Sequence, residues 1–325
     1  MLNVLCSGVT RRHNQNGKTA WLVHLNTLKG AEQDSMSITA ETLKKRIDVK
    51  IVEAHEKEER RGHLGASQIG NKCYRYLWHV LHWSYKEKFN AKQLRLFDRG
   101  SREEIRFLEW LKPIAQELYP VNPKTNKQWR VSAFNGIFSG SCDGVAKIDD
   151  EWFLLEFKTH GDKSFKEFAK HKVKECKPVH YDQMQVYMHL LNLNKCVYMA
   201  INKNTDELYI EIVHRDNLSA DIILDRAKSV IEAESGLDMP RISESPLWWE
   251  CRMCEFTHIC NKGAAPDRNC RTCAYSKPVS GKVWYCTKHE HNLETIATQM
   301  AACGDYTMAD VYPRKDDGPA VAFSL

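Results

Sequence analysis

The sequence predicts an α/β protein, with a mixed central sheet flanked by helices and a cysteine-rich, metal-binding appendage at the C-terminal end. Helical and strand patterns follow one another in the order helices, strands, helix, strands, helix, which is typical of a layered α/β sandwich. An apolar strand pattern at residues 152–158 ends in charged residues. Half of the 12 cysteines lie between Cys251 and Cys286. That clustering indicates metal binding and not an evenly cross-linked secreted scaffold.

The composition sets bounds on size and location. The 325 residues, 42% hydrophobic and 27% charged, suffice for one large domain with appendages or for two domains. The net charge of +5 is a mild excess, which does not by itself indicate nucleic-acid binding. No apolar stretch is long enough to span a membrane, and the first residues are too short a run for a signal peptide. We therefore expect a cytoplasmic protein without membrane contact.

The elements follow from periodicity and turn residues. A long helical pattern begins near Met36, and residues 1–35 before it are polar and weakly patterned. Gly100 opens a predicted helix that Pro113 disturbs, and Gly236 ends another. Further predicted helices are 71–83, 180–193 and 217–235, and further strands are 196–203 and 207–213. A basic segment, 163–172, with interleaved phenylalanines, is compatible with a phosphate-binding helix and with a solvated one.

A central hairpin is the most informative stretch. Residues 139–148 form a predicted strand, Asp149 opens a tight turn, and residues 152–158 form the returning strand. Such a hairpin brings Asp143 beside Glu156.

The charges of this hairpin predict a metal site. Glu156 and Lys158 are two residues apart and point to the same face of their strand. Asp143 and Glu156 would repel each other, and a hard divalent cation is the usual remedy. The alternative is a surface hairpin with a cross-strand salt bridge.

A third carboxylate comes from the predicted helix after Gly100. Glu104 shares a helical face with Leu108 and Leu111. It is either an inward-facing ligand or an edge residue that pairs with Arg102 or another basic side chain nearby. Glu103 is an alternative inward-facing residue.

Several short motifs occur in a particular order, namely SQIGNKCYR, RGSREE, GSCDG, LLEFK and QMQVY. Over roughly residues 65–262 this order resembles the RecB-like branch of the PD-(D/E)XK nuclease superfamily. That branch includes CRISPR-associated adaptation nucleases and many phage exonucleases. The resemblance implies a restriction-endonuclease-like core and a metal-dependent DNA exonuclease.

The resemblance also implies roles for the site residues. The ligands of Mg²⁺ or Mn²⁺ would be Glu104, Asp143 and Glu156, although many relatives carry histidine at the first position. Lys158 would hold or help deprotonate the attacking water. Gln183 would steady Lys158 or the substrate strand, and Tyr187 would either pack or join the site.

The C-terminal cysteines form two patterns. Cys251, Cys254 and Cys260 follow the spacing C-x2-C-x5-C, and in iron–sulfur nucleases of this branch the fourth ligand lies far upstream, where this chain has Cys73. A 4Fe–4S cluster is therefore implied, with zinc as the alternative.

The second pattern has the spacing of a zinc ribbon. Cys270 and Cys273 are followed by Cys286 and His289, with a strand pattern between the two pairs and His291 as an alternative ligand.

These observations predict the following organisation: an extension 1–35, a nuclease domain 36–245, a cluster segment 246–262, a zinc ribbon 263–292, and a short helix and tail 293–325. The predicted function is DNA exonuclease activity in phage or bacterial recombination, replication or repair. Expected partners are DNA with a free end or a single strand, and a single-strand-binding or annealing protein. The alternative is a non-catalytic DNA-binding module stabilised by structural metals.

Overall fold

The computed structural model describes residues 9–13, 19–23, 38–310 and 312, and the chain divides into two units, Met1–Ile47 and Asp48–Leu325. In the first unit, where we expected a weakly structured extension, strands Val9–His13 and Thr19–Val23 pair antiparallel. The predicted helix start near Met36 lies outside the described residues.

The helices, in chain order, are α1 Ala40–Glu56, α2 Tyr74–Leu81, α3 Ala91–Leu111, α4 Asp162–Cys176, α5 Pro178–Leu191, α6 Asn217–Glu232, α7 Trp249–Met253, α8 Thr257–Cys260 and α9 Ile296–Ala301. The strands are β1 Val9–His13, β2 Thr19–Val23, β3 Leu64–Gly65, β4 Glu117–Tyr119, β5 Val121–Asn122, β6 Lys127–Gln128, β7 Arg130–Ala133, β8 Phe138–Ser141, β9 Gly144–Ile148, β10 Glu151–His160, β11 Lys195–Asn202, β12 Leu208–His214, β13 Ser276–Ser280, β14 Val283–Cys286 and β15 His291–Leu293. Among the described residues, no helix combines the length and apolarity needed to cross a bilayer.

The second unit is built on a mixed five-stranded sheet, which confirms the mixed α/β core of the predicted fold class. Its strand order is β12-β11-β10-β9-β4, and the pair β10–β11 is parallel while the other pairs are antiparallel. One face packs against α3, where Phe107 stacks on Phe157 at a centroid distance of 4.9 Å. The other face carries Leu154 and Tyr198 and packs in one core with Met184 and Met188 of α5. Helices therefore cover both faces of the sheet.

The predicted strand 139–148 is in fact two strands in two sheets. β8 pairs with β3 and β7, whereas β9 joins the central sheet, and the break falls at Cys142 and Asp143. The hydroxyl of Tyr187 donates to the Ser141 carbonyl at 3.0 Å, which takes up a backbone acceptor where the ladder of β8 ends. The predicted turn is confirmed, because Asp149 and Asp150 both have positive φ, as a two-residue hairpin loop requires.

Two predicted helix boundaries were wrong. α3 begins nine residues before Gly100, because Asn90 and Gln93 form a capping box that satisfies the first backbone N–H groups. Gly100 lies within this helix, which ends before Pro113 as expected. α6 ends before Gly236. A glycine is needed at this position because a Cβ atom would lie 2.5 Å from the Trp78 ring.

The basic segment forms α4, in which Phe165 and Phe168 are buried in the core. The lysines of α4 form its exposed face. This arrangement is compatible with both interpretations, a phosphate-binding helix and a solvated one.

The cysteine-rich end packs into the core of the second unit. Strands β13, β14 and β15 form an antiparallel sheet, as the ribbon prediction requires. Trp284 and Leu293 share the main core with Leu77. Arg271, only 2% exposed, donates hydrogen bonds to the carbonyls of Leu81 and Gly62 at 3.0 and 3.1 Å.

Candidate active site

The hairpin register brings the predicted acidic residues together. Leu155 lies opposite Gly144, so Asp143 and Glu156 are the next neighbours beyond the paired residues. The carboxylate of Asp143 accepts the backbone N–H of Phe157 at 2.7 Å. Lys158 Nζ contacts Glu156 and donates to the Phe157 carbonyl at 3.2 Å. We call Glu104, Asp143, Glu156 and Lys158 the carboxylate site.

Glu156 has one oxygen that the described part of the chain leaves without a partner. Its side chain is 1% exposed, Oε1 contacts Lys158, and Oε2 makes no hydrogen bond to any described residue. An unsatisfied buried carboxylate oxygen is costly, and a bound cation removes that cost. The residues present therefore fit an oxygen-ligated divalent metal.

The electrostatics of the site also favour a cation. Burial and the charge of Asp143 raise the pKa of Glu104 to about 7, against the influence of Lys158. Burial likewise raises the pKa of Asp143 and of Glu156, although Lys158 opposes both shifts. Burial would lower the pKa of Lys158, but Glu156 and Asp143 together raise it. Three carboxylates and one ammonium carry −3 + 1 = −2 charges when all are ionised, which a divalent ion balances.

The two neighbouring glutamates of α3 have different partners. Glu103 is the more buried of the two, and its carboxylate accepts from Arg106 at 2.9 Å. Glu104 is half-buried and interacts electrostatically with Asp143 and Lys158. The buried face of α3 contains Glu103, Phe107 and Leu111. The predicted face contained Glu104 and Leu108, so the first two predicted positions are each shifted by one residue.

Gln183 and Tyr187 lie beside the carboxylate site and are both buried. The Gln183 amide donates to the Tyr187 hydroxyl at 3.2 Å, and that hydroxyl donates to the Ser141 carbonyl. A Cβ atom at Gly140 would lie 2.6 Å from this hydroxyl, so glycine is needed for the approach. The two side chains thus hold the end of β8, which leads into Asp143.

The predicted cluster ligands lie around one cavity. Cys73 precedes α2, and the cavity, of about 350 Å³, is also lined by the other three members of the set: Cys251, Cys254 and Cys260. Burial, followed by the neighbouring thiols Cys73 and Cys260, raises the pKa of Cys251. We call these four residues the first cysteine group.

The predicted ribbon ligands line a second cavity, of about 20 Å³, together with two residues that sequence reasoning missed. The predicted set is Cys270, Cys273, Cys286 and His289, and the additional residues are Cys303 and Asp305. Cys303 carries no spacing signal, because it follows α9, 17 residues after Cys286 in the chain. Only the folded chain brings it to the cavity.

The chain belongs to the PD-(D/E)XK nuclease superfamily, whose sequence profile matches residues 26–261. Enzymes of this superfamily generally use divalent metals such as Mg²⁺, which agrees with the composition of the carboxylate site. No curated protein matches the chain significantly in sequence.

Several solved structures are similar in fold. The crystal structure of SSO0001 has 17% identity and a TM-score of 0.42, covering 68% of this chain and 96% of that one. An alkaline exonuclease from Laribacter hongkongensis has 18% identity and a TM-score of 0.36, covering 56% and 90%. A phage-related exonuclease from Haemophilus somnus has 14% identity and a TM-score of 0.36, covering 52% and 91%.

Proposed function

We propose that this chain is a metal-dependent deoxyribonuclease that hydrolyses phosphodiester bonds at the carboxylate site. The observation that carries the proposal is the buried Glu156 carboxylate, whose free oxygen lies among two further acids and one ammonium group. Replacing buried charged groups with apolar side chains often stabilises a protein, so their presence here points to a catalytic use. Family membership adds the reaction class.

The metal ligands in this proposal are Glu104, Asp143 and Glu156. A bound Mg²⁺ or Mn²⁺ would polarise the scissile phosphate and lower the pKa of a bound water. The N–H of Phe157 orients the Asp143 carboxylate, which leaves its second oxygen for ligation. Lys158, held by Glu156 and the Phe157 carbonyl, supplies a fixed positive charge beside the phosphate and orients the attacking water.

Gln183 and Tyr187 are positioning residues in this mechanism. Their hydrogen bonds run from Gln183 through the Tyr187 hydroxyl to the Ser141 carbonyl. Because Ser141 lies two residues before Asp143, they determine where that carboxylate enters the site. Gln183 was expected to steady Lys158 or the DNA strand, and the described contacts favour an action through Tyr187.

We further propose that the enzyme is an exonuclease of the RecB-like branch. The support is the order of its motifs from SQIGNKCYR to QMQVY, which this branch shares. A DNA end or single strand would be the substrate, in phage or bacterial recombination, replication or repair. A single-strand-binding or annealing protein would be the natural partner, and the cytoplasm the location.

End-labelled single-stranded, double-stranded and closed circular DNA test this proposal, each with Mg²⁺, Mn²⁺ or EDTA. We expect metal-dependent release of nucleotides from linear DNA and none with EDTA. Asp143→Asn, of nearly identical shape, should abolish cleavage while DNA binding persists, because the carboxylate acts on the transition state. Absence of metal-dependent cleavage on every substrate would overturn the proposal. Cleavage of circles would make the enzyme an endonuclease.

We propose a 4Fe–4S cluster for the first cysteine group. Iron–sulfur clusters are held by four thiolates, and four thiols surround this cavity. Cys73 comes from the start of α2, so a cluster would tie that helix to the segment of α7 and α8.

Elemental analysis of anaerobically purified protein tests the cluster. We expect iron and a brown colour in the wild type, and loss of both in Cys73→Ala. Cys176→Ala, which removes a thiol outside both cysteine-lined cavities, should keep them. A colourless protein with zinc in place of iron would assign this group to zinc, and an unchanged cluster in Cys73→Ala would exclude Cys73 as the fourth ligand.

A further inference from the structure

The second cysteine cavity is built from three separate segments of the chain. Cys270 and Cys273 flank a single 3₁₀ turn, and Cys286 ends β14. Cys303 follows α9, which returns the chain to the turn. The cavity of about 20 Å³ has room for one small ion or water molecule.

Backbone pairing fixes the segment that carries Cys303. Ala274 N–H donates to the Thr307 carbonyl at 2.8 Å, and Ala309 N–H donates to the Thr272 carbonyl at 3.1 Å. Cys273 also forms an isolated antiparallel bridge with Met308. The chain around Cys303 is therefore held against the 3₁₀ turn by main-chain contacts that do not depend on its thiol.

His289 and Asp305 lie beside Cys303. The His289 Nε2 atom lies 3.2 Å from the Asp305 carboxylate and 3.7 Å from the Cys303 sulfur. One ligand atom of each of these three residues lies within 4.8 Å of the other two, so the three groups approach the cavity together. Lys288 Nζ lies 3.4 Å from the same carboxylate, so Asp305 holds two basic side chains beside the thiols.

We propose that Cys270, Cys273, Cys286 and Cys303 bind one structural zinc ion, with His289 and Asp305 supporting Cys303 from outside the ligand shell. Zinc prefers four-coordinate sites of this thiolate composition, in which Zn–S bonds are about 2.3 Å. Four thiolates fill the tetrahedral shell of a zinc ion, so His289 and Asp305 then lie outside that shell, next to the sulfur of Cys303. The predicted ligand His289 is thereby replaced by a residue that lies outside the ribbon spacing.

Alkylation of the zinc-loaded full-length protein tests the ligand set directly. The Cys303 side chain is exposed, so a free thiol there would react readily with iodoacetamide. We expect Cys303 to react at least about tenfold more slowly in the loaded protein than after chelation, in step with the other three cysteines. Cys176, outside the cavity, serves as the internal comparison. Equally fast reaction of Cys303 before and after chelation would overturn the proposal.

Matched variants give an independent measurement of zinc per chain. Cys303→Ala should lose about one equivalent of zinc, whereas His289→Gln, which keeps a donor amide, should retain it. The reverse result, or zinc retention in both, would overturn the assignment. If Cys303→Ala does not fold, the alkylation pattern of the wild type still decides. Neither readout measures DNA cleavage, so the nuclease proposal is tested separately.

Discussion

The carboxylate site and the second cysteine cavity are assembled in different ways. Asp143, Glu156 and Lys158 belong to one β-hairpin, whose pairing register alone places them together. The cysteines of the second cavity come from a turn, a strand end and a segment beyond α9, which meet only when that end of the chain has folded. Local pairing therefore builds one site, and long-range docking builds the other.

This difference extends to what each site needs from the rest of the molecule. The hairpin needs one remote residue, Glu104 of α3, to complete its acidic set. The second cysteine cavity depends on the packing of Arg271. In the sequence this residue lies between Cys270 and Cys273, and in the structure its guanidinium is buried between the rings of Trp83 and Trp284. Changes at these two residues, one per site, therefore probe how far each site depends on contacts beyond its own segment.

The largest expected effect is on catalysis, at the remote member of the carboxylate site. Glu104→Gln removes one of three charges with little change in shape. We expect kcat to fall about 10³-fold, as when a preorganised electrostatic contact is lost, while DNA binding changes little. Steady-state cleavage of linear DNA in Mg²⁺ measures the effect.

Glu103→Gln is the matched control, because the new amide oxygen can still accept from Arg106. We expect its kcat to stay within a few-fold of the wild type. A large loss in Glu103→Gln with little loss in Glu104→Gln would mean that the other face of α3 completes the site.

Features set by local pairing could be predicted from the sequence, and features that depend on long-range contacts could not. The hairpin, its turn at Asp149 and the placement of Asp143 beside Glu156 were predictable, because antiparallel pairing with a two-residue loop leaves one register. The break of the strand at Cys142 was not, since it depends on Tyr187, 46 residues from Ser141 along the chain. The start of α3 was misplaced because Gly100 was given more weight than the capping box at Asn90.

The cysteine-rich end shows the limit of spacing rules. Cys270, Cys273 and Cys286 follow a recognisable ribbon pattern, and β14 lies where that pattern requires a strand. Cys303 does not, because its approach depends on backbone pairing around Thr307 and Met308. A polar residue such as Arg271 would also be assigned to the surface from sequence alone, although its side chain is fully enclosed.

The second prediction concerns stability, at Arg271. Its guanidinium donates to Leu81 O, Gly62 O and Gln299 Oε1, at 2.7 to 3.1 Å. Arg271→Met removes these donors and leaves buried acceptors unpaired. We expect the free energy of unfolding of the zinc-loaded protein to fall by about 3 kcal/mol. Chemical denaturation followed by circular dichroism measures it.

Arg102→Met provides the comparison, because Arg102 is exposed and pairs with Asp98 on the same helix. Its stability should change by less than about 1 kcal/mol. If Arg271→Met were equally mild, the sheet of β13, β14 and β15 would be attached to the rest of the second unit through its apolar contacts alone.

The smallest expected effect is a pH dependence of stability at His82, which links α2 to the ribbon. Its ring stacks on Trp78, and its Nδ1 atom donates to the Trp78 carbonyl at 2.9 Å. Burial lowers the pKa of His82 to about 3; the Trp78 carbonyl opposes this shift, and the nearby charge of Arg271 adds to it. The folded state therefore binds fewer protons than the unfolded state, in which the pKa is about 6.5.

The sign of the effect follows from this difference. The contribution of neutral His82 is fully present above the unfolded pKa of about 6.5, and it is lost as the pH falls toward the folded value. One such histidine adds a slope of at most about 1.4 kcal/mol per pH unit. His82→Gln, whose amide can still donate to the carbonyl, should flatten the pH dependence of the unfolding free energy between about pH 6.5 and 5. The other histidines whose pKa burial lowers, His63, His79, His160 and His180, are common to the variant and the wild type, so the difference between the two slopes reports on His82. An unchanged slope in His82→Gln would show that His82 is already protonated in the folded protein.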